Sequence, residues 1–211
     1  IISLWIYTFG SLVRGEIDAE SDIDILCICD STDRGKLPAY IQKYSKNDYL
    51  KIHTEGDLFS HHLYKESCLI HSSDGADFIQ SIGRPGPYID WNSDLLSFIE
   101  IARYSLDSIN SESHSVFSKG LLYMTLRDMA MIYSHVEMHV SDFSKYVPYN
   151  IDIPLDISRS IYENLRLCRL SSTRGTWNPA VLNNLPISFC SKTESWINKI
   201  TNWSLNHAQE N

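Results

Sequence analysis

The stretch Phe9 to Asp24, FGSLVRGEIDAESDID, limits what this chain can fold into more than any other. The apolar, β-branched run before it, Ile1 to Thr8, reads as a strand that ends at a Gly10-Ser11 turn. Leu12 to Glu16 suits a short helix, and Ser21 to Cys29, SDIDILCIC, reads as a second strand. A Gly-Ser pair between strand and helix lets the backbone come close to a phosphate, and the helix start offers free N–H groups to that anion. Asp22 and Asp24, at i and i+2 of a strand, point to the same face, roughly 6–7 Å apart along the chain. Two like charges in one cleft repel by a few kcal/mol at an effective dielectric of about 20. Such a pair calls for a divalent cation, and oxygen-ligated Mg²⁺ fits the spacing.

Gly10-Ser11, ten intervening residues and then Asp22-Ile23-Asp24 resembles the signature of the DNA polymerase beta nucleotidyltransferase superfamily. Phe9 ahead of Gly10-Ser11, the Arg14-Gly15 pair, and Ser-Asp-Ile-Asp running into an apolar strand agree with it. The stretch looks most like the small bacterial members, the minimal and kanamycin nucleotidyltransferase groups. The resemblance implies transfer of a nucleoside monophosphate from an NTP, expected to be ATP, to a hydroxyl, with release of pyrophosphate. It implies Mg²⁺ held by Asp22 and Asp24 as the catalytic carboxylates. Gly10 and Ser11 would cradle the β and γ phosphates with help from Arg14.

Composition narrows the setting. A net charge of −8 opposes the broad electrostatic footprint that nucleic-acid binding needs, so a small-molecule or protein acceptor is expected over a nucleic acid strand. No run approaches the ~18 apolar residues of a membrane span, and a cytoplasmic protein is expected. The chain shows no signal-peptide pattern, and its opening on Ile1 without Met leaves a preceding segment open. Five cysteines, at 27, 29, 68, 168 and 190, form no regular framework. Cys27 and Cys29 alternate away from the aspartates and read as core thiols, with no second pair to complete a Zn site.

Further along, Asp30 to Gly35 reads as a turn, Leu37 to Lys46 as a short amphipathic helix, and Tyr49 to Thr54, YLKIHT, as a third strand. A strand at this place in the superfamily often supplies a third carboxylate, and this chain departs from that pattern. Glu55 and His53 are the candidates to complete the site or act as base. Phe59 to Lys65 reads as helix and Ser67 to His71 as a fourth strand. Phe59, His62, Leu63, Glu66 and Ile70 approximate a sheet-closing pattern of the small members. His61 and His62 are adjacent, so they face different sides of a helix and do not suit one metal site. The run IGRPGPYIDW, residues 82 to 91, is dense in Gly and Pro and marks the expected boundary.

Beyond it the period becomes helical. Leu95, Phe98, Ile99, Ala102, Leu106 and Ile109 lie on one stripe after Ser93. His114 to Val140 reads as a central helix, Pro154 as the start of a third, and Ser191-Lys192-Thr193-Glu194 as a capping box before a last one. This half resembles, more weakly, the helical partner domains of small nucleotidyltransferases and HEPN proteins. HEPN ribonucleases carry Arg, four to six intervening residues and then His, whereas seven residues separate Arg127 from His135, so RNase activity is not expected. His135 and His139, at i and i+4, are better read as polar helix residues than as a metal clamp. Arg159, Arg166 and Arg169 fall within about 80° on the third helix, with Arg174 just beyond. They would face either a nucleotide triphosphate or acidic residues of a neighbouring helix.

The reading is therefore an α+β chain. A small mixed-sheet nucleotidyltransferase domain with flanking helices spans 1–88, an all-α helical bundle spans 89–211, and the active cleft is expected between them. Asp22 and Asp24 are its catalytic and metal residues, and Gly10, Ser11, Arg14, Arg166 and Arg169 its nucleotide-binding ones. A homodimer is compatible with the sequence. Two other classes stay open: a nucleotide-binding, antitoxin-like or regulatory protein with a weakened site, and an RNA-acting protein whose effector is the helical half.

Overall fold

The computed structural model describes residues 3–17, 23–30, 38, 41–111, 115–175 and 185–210. Two compact units divide the chain, Ile1–Asp90 and Trp91–Asn211. The first is built on β1 (Leu4–Phe9), α1 (Ser11–Arg14), β2 (Asp24–Cys29), β3 (Gln42–Ser45), α2 (Lys46–Glu55), α3 (Leu58–Glu66), β4 (Ser67–Ser72) and α4 (Phe78–Ser81). The second holds α5 (Trp91–Asn110), α6 (Ser115–Val136), α7 (Arg159–Arg174) and α8 (Phe189–Glu210). The fold is α+β, a mixed sheet with helices followed by a helical region.

Among the described residues the sheet runs β3-β2-β1-β4, with β1 antiparallel to both neighbours and β3 parallel to β2. Alternation along β1 sends Trp5, Tyr7 and Phe9 into the core, opposite Ile28, Leu26 and Asp24 of β2. Tyr49, Leu63, Phe78 and Ile79 from α2, α3 and α4 cover that face. Each such side chain contributes about 1.5–3 kcal/mol by leaving water. Tyr7 is fully buried with its hydroxyl satisfied, donating to Asp77 Oδ1 at 3.0 Å and accepting from the Ile79 amide at 3.1 Å. Asp24 therefore ends an apolar row on the core face. Cys27 sits buried on the opposite face of β2, where burial and the neighbouring Cys29 push its thiol up to about 11.

In the first unit two elements differ from the sequence reading. The expected turn past Asp30 and residues 37, 39 and 40 of the expected helix over 37–46 lie outside the described residues; within that helix Gln42–Ser45 is a strand, because those residues add a parallel edge to β2 in register with Leu26–Cys29. The expected strand over 49–54 is helix α2. Ser45 caps it by accepting from the Asp48 amide, Gly56 ends it at φ +69°, and Tyr49 and His53, one turn apart, are its buried residues. A Cβ on Gly56 would collide with the carbonyls of Pro87 and Gly86.

Residues 82–90 of the run dense in Gly and Pro are part of the first unit, and its last residue, Trp91, opens the second. His53 Nε2 lies 3.0 Å from the Gly83 carbonyl oxygen, His61 Nε2 lies 3.0 Å from that of Gly86, and the Gly86 amide donates to His53 O at 2.9 Å. Gly86 passes so close to Thr54 O that no side chain fits there. Pro85 is buried. Two histidines thus strap this segment onto α2 and α3.

In the second unit α6 is central, burying Leu122, Leu126, Met129, Ala130, Ile132 and Tyr133 and packing on α5 and α7. Gly120 lets α6 and α7 approach closely, since a Cβ there would stand 2.7 Å from the Arg169 α-carbon. Pro154 does not open a helix. α7 starts at Arg159 behind Ser158, whose hydroxyl accepts from the Ile161 amide, and a short 3₁₀ turn, Val147–Tyr149, precedes it. The expected capping box lies inside α8, which begins earlier, at Phe189, and Ser191 Oγ donates to Ser188 O instead.

Candidate active site

β1 delivers the chain to the site. Its last residue, Phe9, pairs with Asp24 on one side and Ser67 on the other. Gly10 then turns with φ +74° and ψ −139°, a backbone region that residues with a side chain rarely adopt. Space adds a second reason, because a Cβ on Gly10 would stand 3.0 Å from Asp24 Oδ2. The Asp24 carboxylate thus lies directly against the backbone of the turn. Val13 and Arg14 donate to the Gly10 carbonyl at 3.1 and 3.2 Å, and the amides of Ser11 and Leu12 stand in the opening turn, ahead of helical acceptors. Thr8 Oγ1 donates to the Asp24 carbonyl at 3.2 Å, fixing the strand beneath the carboxylate.

Asp22 lies outside the described residues. Among those described, no three His, Cys, Asp or Glu side chains gather into a metal-ligand group. Glu55 ends α2 and is exposed, 3.9 Å from Lys51 Nζ. His53, on the same helix, is buried against Gly83. Since α2 is not a strand, neither residue stands on the strand beside β2. That strand is β3, which presents Gln42 and Tyr44 on Asp24's face; Gln42, exposed and paired with Leu26, is the nearer of the two to Asp24. Reading residues 37–46 as helix concealed Gln42; its only sequence signal is the alternation of Gln42 and Tyr44 with Lys43 and Ser45.

Behind the turn lies a charged cluster. Arg14 Nη1 donates to Glu66 Oε2 at 2.5 Å and Arg14 Nε donates to Glu16 Oε2 at 3.0 Å. His62 Nε2 stands 3.2 Å from the same Glu66 oxygen. Burial would raise the Glu66 carboxyl, but His62 and Arg14 together hold it below the usual carboxylate range. His61, next in sequence to His62, points elsewhere, to Gly86, and its burial lowers its pKa.

Two of the α7 arginines have partners within the second unit. Arg166 Nε donates to Glu163 Oε2 at 2.7 Å, a residue of its own helix rather than a neighbouring one. Arg159 stacks on Tyr146 and Tyr149, 5.1 and 5.6 Å from the ring centres. Arg169 sits where α7 crosses Gly120. Arg127 donates to the carbonyls of Phe143 and Ser144 at 2.6 and 3.3 Å, while His135 Nδ1 lies 2.8 Å from Ser141 Oγ. α6 ends at Val136, and His139, at φ +54°, is past it, so His135 and His139 do not share a helix face.

The family model described as "Nucleotidyltransferase domain" matches residues 4–63. The first unit therefore carries a nucleotidyltransferase domain of the DNA polymerase beta-type superfamily. No curated protein matches this sequence. Among the described residues, no helix is long and apolar enough to cross a membrane.

Proposed function

We propose that the chain is a Mg²⁺-dependent nucleotidyltransferase that uses an NTP, ATP for preference, to modify a hydroxyl of a small molecule or protein. In the reaction the acceptor oxygen bonds to the α-phosphorus, the bond to the pyrophosphate oxygen breaks, and the hydroxyl proton is released. The observation that carries this reading is Asp24 Oδ2 set against the backbone of Gly10, so that a carboxylate and the turn proposed to meet phosphate stand together. Asp22 and Asp24 are hard oxygen donors, the chemistry that Mg²⁺ takes, and they would hold the ion. The ion would offset phosphate charge as a Lewis acid. Gly10 and Ser11 would present amides to the β and γ phosphates, and Arg14 belongs to the same turn. Arg166 and Arg169 are the second unit's candidate phosphate cations. The domain at 1–88 would hold the chemistry, and the helical domain at 89–211 would be its partner.

The test is α-labelled ATP transfer across a panel of acceptors, with melting curves alongside. Mg²⁺-ATP at a hundred times its dissociation constant should add about 2.7 kcal/mol of stability, and Asp22→Asn should remove the metal-dependent part. A melting temperature indifferent to Mg²⁺-ATP would overturn the reading.

One observation favours a second reading, a nucleotide-binding regulatory or antitoxin-like protein. Gln42 offers an amide, not a carboxylate, on the strand beside Asp24. Nucleotide binding without transfer, converted to measurable transfer or tighter Mg²⁺ binding by Gln42→Glu, would establish it. Wild-type transfer at ordinary Mg²⁺ concentrations would dismiss it.

A further inference from the structure

We infer that Glu66 is a positioning residue for the nucleotide site, holding the Gly10–Arg14 turn in place through Arg14. The inference rests on the nucleotidyltransferase reading and adds a role for residues that the reading leaves without one. The turn is anchored at both ends on α3. At its start, the Phe9 ring meets Phe59 and His62 edge-on, with centroids 5.6 and 5.7 Å away. Phe9 also pairs with Ser67, the residue that follows Glu66. At its end, Arg14 reaches Glu66 at 2.5 Å. The Arg14, His62 and Glu66 side chains are only 16%, 15% and 10% exposed, so these contacts are screened far less than surface ion pairs.

The geometry also fixes what Arg14 does. Its guanidinium already engages two carboxylates, Glu66 and Glu16. A cation so matched has little net attraction left for a triphosphate, while a planar fork bound at two points makes a stiff clamp. Holding the turn matters because Gly10 must keep its backbone against Asp24 Oδ2 for its amides to meet the phosphates, so a turn that drifts weakens NTP binding more than it slows the chemical step.

The two possible roles for Arg14 predict opposite results for Glu66→Gln. If Arg14 binds phosphate directly, neutralising its competitor frees it and lowers the KM for NTP. If Glu66 positions the turn, KM rises by roughly tenfold, kcat changes less, and Glu66→Asp recovers part of the loss. The experiment is steady-state transfer with labelled NTP for wild type, Glu66→Gln, Glu66→Asp and Arg14→Gln, and for the double variant Arg14→Gln/Glu66→Gln. The double variant should be no worse than Arg14→Gln alone, because both remove one clamp. Hydrogen exchange over residues 9–16 should quicken in Glu66→Gln while β2 stays protected. If Glu66→Gln fails to fold, Arg14→Lys replaces it; the lysine keeps the charge but cannot fork, so KM should still rise. An unchanged or lowered KM in the folded variant, or a wild-type KM in Arg14→Lys, overturns the inference alone. A wild type that neither binds nor transfers nucleotide overturns the underlying reading and the inference with it.

Discussion

Two carboxylates, one in each unit, are handled in opposite ways. Glu66 is buried, yet His62 and Arg14 overcome the burial and hold it ionised below its usual range. Asp128, on α6, also has arginines nearby, Arg127 and Arg169, but burial prevails and pushes it up to about 6. The difference lies in where the guanidinium groups point. Arg14 aims at Glu66, whereas Arg127 donates to the carbonyls of Phe143 and Ser144 and fixes the chain beyond α6. A buried charge needs a directed hydrogen bond, and proximity alone does not supply it. The first unit directs its matched charge at the turn beside Asp24; in the second, Arg127 goes to loop carbonyls, Arg159 to tyrosine rings and Arg166 to Glu163.

The largest effect that would sharpen this contrast is at Asp24. Asp24→Ala should reduce labelled-NTP transfer by a hundredfold or more, on the order expected for loss of a metal-binding group, with its melting curve retained. A fully active variant would end the nucleotidyltransferase reading.

Next come the glycines, which compare the rigidity of the two units. Gly56→Ala combines a left-handed backbone with a collision against the Pro87 and Gly86 carbonyls, and should cost about 3 kcal/mol or more. Gly120→Ala meets the Arg169 backbone at 2.7 Å without a positive φ, and should cost about 1–3 kcal/mol. Denaturant midpoints rank the two. If Gly120→Ala proves the worse, the close crossing of α6 and α7 is tighter than the histidine strap.

A smaller effect separates the carboxylates by the sign of their pH dependence. The folded protein holds the Asp128 proton from the ordinary value of 3.8 up to about 6, so its contribution weakens as pH rises through that window. Asp128→Asn should therefore raise the melting temperature by a few degrees near pH 7.5 and give no gain near pH 4. Glu66 behaves in reverse. Its contribution is present above the ordinary 4.5 and is lost as pH falls through its lowered folded value. Melting curves of Asp128→Asn and Glu66→Gln from about pH 3 to 8 test the pair, and parallel slopes would erase the contrast.

The smallest expected effect comes from His61. Its lowered pKa means that the unfolded chain takes up the proton first, so stability should begin to fall as pH drops below the ordinary 6.5. His61→Gln should flatten that part of the profile. A profile unchanged by the substitution would remove His61 as its source.

The site was legible where local chemistry and tertiary need agree. Gly10 sits where only glycine fits, and the alternation of Leu26 and Ile28 with Cys27 and Cys29 reports the two faces of β2 directly. α2 was not legible as a helix because Tyr49, Leu50 and Ile52 are good strand formers in near alternation. Its true signals, Ser45 with Asp48 and then Gly56, are capping residues whose weight shows only once Tyr49 and His53 are seen on one buried side. β3 is short and carries Gln42 and Lys43, so its identity comes from pairing with β2 and not from its own composition. The clamp on Arg14 joins residues 52 positions apart, beyond any local pattern. Asp22 lies outside the described residues, and its place beside Asp24 rests on the sequence.

The histidine strap also bears on where this molecule can be cut. The family match ends at residue 63, but a fragment ending there would lose β4, which closes the sheet edge against β1. It would also lose the strap whose carbonyls at Gly83 and Gly86 meet His53 and His61. Severing the chain between α4 and Gly83 would leave two buried imidazoles without those oxygens and open the end of α2 around Gly56 to water. A piece that retains these hydrogen bonds therefore runs at least through Gly86, and the segment that ends the first unit is also its clasp.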